Sequence, residues 1–296
     1  MAEHQANSGV HVRCEKNIMP WRMRSIERSR PDELHEPTIF DHWTSEGLVI
    51  EFIDAACFQI TRDHVALIEQ NTDDVDLVAH LVVDHVLPRV VWLRGDLMLH
   101  ASGVVGPNGG AHVFLGKSGT GKSTLATALG CAGWPILDDD GIRIMNIRAR
   151  PWACPGYPGV RLLPDSAESV LPTVAPGRRV MNGHAKRRFE ADGAVLAVAH
   201  TRAPVVGVYL MERTKRHSAS LVPVGIGETV RDMSNHTFHV SENPSASVRE
   251  SFERTAALFG AVPVWRLLIP TGLTRIGSTL ALLHEHDFEL GAQAPR

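Results

Sequence analysis

The residues with the clearest chemical meaning lie between Gly116 and Thr124. The run Gly116-Lys117-Ser118-Gly119-Thr120-Gly121-Lys122-Ser123 fits G-x-x-x-x-G-K-[ST] at every fixed position, and Thr124 continues it. Such a loop suits phosphate because glycines let the backbone turn tightly, so several N–H groups can point at one anion. A helix that starts where the loop ends adds unpaired N–H groups and the positive end of its dipole. In that pattern the loop cradles the phosphates of a nucleotide. Lys122 reaches the terminal phosphates and the Ser123 hydroxyl completes a Mg²⁺ shell.

A second constellation, Asp138-Asp139-Asp140, ends the apolar stretch Ile136-Leu137. In a strand–loop–helix–strand unit, the strand after the helix brings its C-terminal end to the same crevice. Carboxylates there face the phosphate loop. One can bind Mg²⁺ directly or through water, and another can accept the proton of an attacking hydroxyl. Any two of the three aspartates can fill these roles, and the sequence leaves open which. Three aspartates in a row also make an ordinary solvated turn.

These groups need elements to hold them. Ala111–Leu115 is a short apolar run suited to a buried strand, and Thr124–Leu129 has helical spacing with Gly130 and Gly133 to end it. Upstream, residues 1–36 read as a loose tail whose basic segment, Trp21 to Arg30, is a solvated arm or a short partner-binding helix. Residues 37–97 read as a small β-plus-helix region. Leu48, Ile50 and Phe52 alternate, Cys57–Thr61 and Val65–Ile68 follow, and a helix from Asp73-Asp74 through Val86 is broken or kinked at Pro88. Residues 98–290 form the loop-bearing domain, with a loose tail over 291–296.

Within that domain, Ile142–Ile147 is a strand. Pro151 to Leu162 is too rich in Pro and Gly for a long element, and 165–171 makes one or two helical turns. Residues 174–193 read as a basic surface loop. Pro204–Met211 is a buried strand ending at Glu212, and 227–238 and 246–259 are helices. The second helix buries Val248, Phe252, Ala256 and Phe259. A strand over 262–268 and a helix over 273–283 complete the domain. The fold class is α/β with a mixed, twisted sheet.

A chain of 296 residues can bury a large core, and its net charge of −3 gives no general attraction to nucleic acid or anionic membrane. No apolar run approaches the roughly 18 residues of a membrane helix, and the polar N-terminus lacks an apolar signal core. Cys14, Cys57, Cys131 and Cys154 show no C-x-x-C spacing and read as reduced thiols of a cytoplasmic protein. Oligomeric state is open, a homo-oligomer included.

Gly116 to Ile142 resembles the C-terminal kinase domain of HPr kinase/phosphorylase and its bacterial relatives. Gly133 and Asp139-Asp140 fall at the family's separations from Gly116, and His100 in Leu99-His100-Ala101-Ser102 matches a histidine ahead of the loop. The likeness is closer to HPr-kinase-related proteins than to the bifunctional enzyme. It includes Gly156-Tyr157-Pro158, Arg161-Leu162, Pro164-Asp165 and Lys186-Arg187. The bifunctional enzyme's Glu-x-Arg-Gly-x-Gly segment is replaced here by Tyr157-Pro158-Gly159-Val160-Arg161-Leu162, without that glutamate, so phosphorolysis and HPr as substrate stay open.

The resemblance implies a phosphate-loop domain of the HPr kinase / PEP carboxykinase type, using ATP and Mg²⁺. Lys122 and Ser123 bind the triphosphate and the metal. One of Asp139 and Asp140 is the base for a seryl-type hydroxyl, and His100 lies beside the reacting phosphate or is a buried structural histidine. Arg161, Lys186 and Arg187 clamp phosphate or a substrate carboxylate, or are solvated surface charges. The expected activity is phosphoryl transfer to a hydroxyl of a protein, a peptide or a small compound. The alternative is a nucleotide-hydrolysing regulator or a scaffold without kinase activity.

Overall fold

The structure is a computed structural model that describes residues 12–14, 37–175, 177–180, 184–190, 195–225, 236–237 and 244–293. The chain divides into two compact units, Met1–Arg94 with Arg179–Ala185, and Gly95–Arg178 with Lys186–Arg296.

In the first unit, period-two patterning makes a sheet. Its strands are β1 (Val12–Cys14), β2 (Ile39–Thr44), β3 (Gly47–Phe52), β4 (Ala56–Ile60) and β5 (Val65–Gln70), in the order β1-β5-β4-β3-β2. Leu48, Ile50, Phe52, Phe58 and Ile60 are buried, as their alternation requires. The pairs β2–β3, β3–β4 and β4–β5 are antiparallel, whereas Val12–Cys14 lies parallel to Val65–Leu67. Part of the stretch read as a loose tail is therefore a strand, and the basic segment from Trp21 lies outside the described residues. Asp74 caps α1 (Val75–Leu81) by accepting from the Leu77 N–H at 3.0 Å. A π-helical turn over Val82–Val86 leads into α2 (Leu87–Leu93), with Pro88 in its first turn. Proline lacks an N–H and its ring crowds the carbonyl four residues back, so a widened turn takes the place of a sharp break.

The second unit contains β6 (Leu97–Leu99), β7 (Ala101–Val105), β8 (Ala111–Leu115), α3 (Lys122–Cys131), β9 (Ile136–Asp138), β10 (Ile142–Ile147), β11 (Arg150–Cys154) and β12 (Gly159–Leu162). There follow α4 (Pro164–Val170), β13 (Arg178–Arg179), β14 (Arg187–Glu190), β15 (Ala203–Thr214), β16 (Ser220–Pro223), α5 (Pro244–Ala261), β17 (Val264–Pro270) and α6 (Ile276–Gln293). The main sheet runs β6-β10-β11-β15-β8-β7-β9, with β17 on β15 and β16 on β17. β8 and β17 are parallel to β15, and the other pairs are antiparallel, so the sheet is mixed as the α/β reading required.

The sheet curls. β6 and β7 lie near opposite ends of its order, yet only His100 separates them in the chain. Gly103 on β7 comes so near β10 that a Cβ there would sit 2.8 Å from Ile142 Cδ1. Alternate residues feed two cores. Val113, Leu115, Val208 and Leu210 pack with Leu258 and Phe259 of α5. Phe114 and Tyr209 pack with Leu125 and Leu129 of α3 and Leu283 of α6. Each such side chain, fully buried, contributes about 1.5–3 kcal/mol. One buried polar chain crosses the second core. His112 bonds the Tyr209 hydroxyl through Nδ1 and Asp287 Oδ1 through Nε2, each at 2.8 Å, and Asn108 donates from its main chain and its side chain to Asp287.

Several expectations need correction. The Pro/Gly-rich stretch after Ile147 holds no long element, as expected, but two short strands, β11 and β12. Its prolines fall near the start of β11, at Pro151, and in the link, at Pro155 and Pro158, where a missing donor costs little. Arg148 and Ala149, both left-handed at φ 53° and 61°, turn β10 into β11 as a primed hairpin turn does. The basic stretch over 174–193 includes β14, antiparallel to β12. In α5 the buried face carries Thr255, Leu258 and Phe259, while Phe252 is 55% exposed, so the apolar stripe is rotated from the one expected. The last helix runs to Gln293, and 294–296 lie outside the described residues. So does the expected helix over 227–238, apart from His236 and Thr237, the latter bridged to Leu99.

Candidate active site

Strand β8 ends at Leu115 and α3 begins at Lys122, so Gly116 to Gly121 must reverse the chain within a few residues. Gly119 and Gly121 adopt φ of 78° and 101°, a region that side-chain-bearing residues avoid. Thr120 closes the turn, donating from N and from Oγ1 to the Lys117 carbonyl at 3.2 and 2.7 Å. Lys117, Ser118 and Gly119 form the exposed tip, whereas Thr124 is buried. Lys122 folds back over the loop, its Nζ donating to the Gly116 carbonyl at 2.7 Å. Burial lowers its pKa, the Asp140 and Asp139 charges oppose that, and Lys186 adds to it.

The acidic run arrives on β9. β7 lies antiparallel to both β8 and β9, so β9 points the same way as β8 and its end reaches the same rim. The three aspartates then have three different surroundings. Asp138 accepts from the main-chain N–H of Asp139 at 2.7 Å and of Tyr157 at 3.3 Å, and burial pushes its pKa well above the ordinary value. Asp139 accepts from Ser102 Oγ at 2.6 Å and from the Arg161 N–H at 2.9 Å, and also from the Ser123 hydroxyl. Burial, then the Asp140 charge, raise its pKa to about 6 against those three donors. Asp140 is left-handed at φ 73° and meets Lys186 Nζ at 3.5 Å and Arg161 Nη1 at 3.8 Å.

His100, at the corner between β6 and β7, hydrogen-bonds the Asp140 main chain. Burial and then the Lys122 charge lower its pKa, which leaves the imidazole neutral at pH 7. The structure thus brings Lys122, Ser123, His100, Asp139, Asp140, Arg161 and Lys186 into one field. Arg187 is different: its guanidinium donates to the Gly177 carbonyl at 3.2 Å.

Three participants were not singled out from sequence: Ser102, Arg188 and Arg213. Ser102, with Asp138 of the acidic run, holds that run in place. Arg188 lies over the Tyr157 ring, 5.1 Å from its centroid. Arg213, at the end of β15, brings Nη2 within 2.6 Å of where a Cβ on Gly121 would lie. Only Ser102 had a local signal, two residues beyond His100. Glu212, the end of the expected strand, is ion-paired with Arg266 on β17.

A Mg²⁺ ion takes hard oxygen donors, commonly one or two carboxylates with waters and substrate phosphates. The Ser123 hydroxyl beside the Asp139 carboxylate fits that chemistry. Among the described residues no group of three or more His, Cys, Asp or Glu side chains is placed to hold a metal without such help.

No family model and no curated protein matches the chain. Among solved structures, it is similar to the HPr(Ser) kinase/phosphatase from Coxiella burnetii at 15% identity and a TM-score of 0.35, over 65% of this chain and 98% of that one. A likeness of that size carries no argument about this chain's topology or chemistry.

Proposed function

We propose that the chain transfers the terminal phosphoryl group of ATP to a hydroxyl. The observation that carries this reading is that the Asp139 carboxylate, in an acidic run two strands away, is favoured in its charged form by the Ser123 hydroxyl at the end of a glycine-rich loop. A chance Gly/Ser turn has no need of a buried carboxylate at that position. The sequence likeness from Gly116 to Ile142 points the same way.

In this reading the amides of Gly116 to Thr124 and the Lys122 ammonium hold the phosphates, and Ser123 with Asp139 holds Mg²⁺. When bound, Mg²⁺ supplies positive charge to the phosphate oxygens. Asp139 is already engaged by three donors, so Asp140 accepts the hydroxyl proton. The acceptor oxygen forms its bond to the γ-phosphorus as the bond to the bridging oxygen breaks, and ADP leaves with that electron pair. His100 is a positioning residue. Neutral, it fixes the Asp140 main chain without adding a cation beside Lys122 and Lys186. Catalysis comes chiefly from orientation and charge neutralisation.

Incubation with γ-labelled ATP, Mg²⁺ and candidate acceptors tests the proposal. Label on an acceptor supports it. Free phosphate alone indicates a hydrolysing regulator, and neither indicates a scaffold. Asp140→Asn is expected to abolish transfer and leave Mg·ATP binding largely intact. Full activity in Asp140→Asn overturns the assignment of the base.

A further inference from the structure

The pairing of β12 with β14 has two unlike faces. Val160, Leu162 and Phe189 are buried in the core on one. Arg161 and Arg188 are direct partners in register, so their side chains share the other. Like charges directly opposite across an antiparallel pair repel. Lys186 joins them, since it and Arg161 both reach Asp140 Oδ2. Arg161 and Lys186 therefore share the Asp140 carboxylate, and Arg188 lies across the strand pair from Arg161.

Arg188 is the member that Asp140 does not serve. Its guanidinium lies over the Tyr157 ring, and its Nε is buried with no hydrogen-bond partner among the described residues. Tyr157 is tied by its own N–H to Asp138, so this platform is fixed to the acidic run. A planar, oriented guanidinium next to a second cation is the arrangement that binds an oxyacid group through paired N–H donors. A neutral occupant leaves the buried Nε and the facing charges uncompensated.

Resting on the kinase reading above, we infer that the acceptor itself carries an anionic oxyacid group, a carboxylate or a phosphate, which Arg188 and Lys186 bind beside the reacting hydroxyl. Lys186 spans both tasks, with Asp140 on one side and the acceptor's anion on the other. Arg188 sets the choice of substrate and takes no part in nucleotide binding.

Calorimetric titration of the full chain saturated with Mg·ADP tests this with three small probes: glycerate, glycerol 3-phosphate and glycerol. At least one of the two anions is expected to bind while glycerol does not, and the preferred anion separates carboxylate from phosphate. Arg188→Ala is expected to weaken that binding by about tenfold or more, the loss of charge-assisted hydrogen bonds, with Mg·ATP affinity unchanged. Arg188→Gln, which keeps a planar group over Tyr157, is expected to show the same loss should the alanine variant fail to fold. Equal binding of glycerol, binding of neither anion, or no change in either variant overturns the inference. Absence of Mg·ATP binding by the unmodified chain instead defeats the kinase reading beneath it.

Discussion

At Asp139, burial and the Asp140 charge oppose ionisation while Ser102, Ser123 and the Arg161 N–H favour it. The balance leaves the folded-state pKa near 6, above the ordinary aspartate value of 3.8. The folded chain thus holds this proton more tightly than the unfolded one, so between those values the group's contribution to stability falls as pH rises. Metal binding has the opposite slope, because it needs the carboxylate. Mg²⁺-dependent ATP affinity is expected to fall as pH drops through 6, by about tenfold per further unit, in titrations at fixed ionic strength. Ser102→Ala removes a donor to the charged form and is expected to move that acid limb upward by about one to two units. Residues within a local pattern, Lys122, Ser123, His100 and the aspartates, were legible from spacing. Arg188 was not, because its meaning comes from its cross-strand partner Arg161, and register is invisible in a linear reading.

The link between β11 and β12 shows how an element constrains a site. A Cβ on Gly156 would fall 1.6 Å from Asp138 Oδ2. Gly156→Ala is expected to destabilise the fold by about 2–3 kcal/mol, seen as a lower urea midpoint, and to reduce transfer by displacing the neighbouring Asp139. Strands such as β3, β8 and β15 and the helix after the loop were readable from periodicity. β11, β12 and β14 were hidden for two reasons. Proline and glycine counts ignore where those residues fall within a segment. A short, arginine-rich strand such as β14 also has no apolar alternation of its own, and acquires its conformation from pairing with β12.

For the whole molecule, an α/β class with a mixed sheet was legible, and the strand order was not. That order depends on pairings such as β6 with β10 and β8 with β15, which join distant parts of the chain. Among the described residues no helix is long and apolar enough to cross a membrane. The buried chain from Tyr209 through His112 to Asp287 joins β15, β8 and α6. Burial acts to raise the Asp287 pKa, but the His112 and Asn108 hydrogen bonds outweigh it and hold the value below the ordinary one. His112→Leu removes the partner of a buried carboxylate and is expected to cost about 3–5 kcal/mol in urea unfolding.

The central place of β15 also sets an order of events during synthesis. Its neighbours β8 and β11 are both made before it, and the sheet cannot join them until Ala203–Thr214 has left the ribosome. At ordinary translation rates that delay is roughly five to twenty seconds after β8 emerges, long compared with hydrophobic collapse. Once β11 has also emerged, the nascent chain exposes two unpaired strand edges, a standing invitation to chaperone capture.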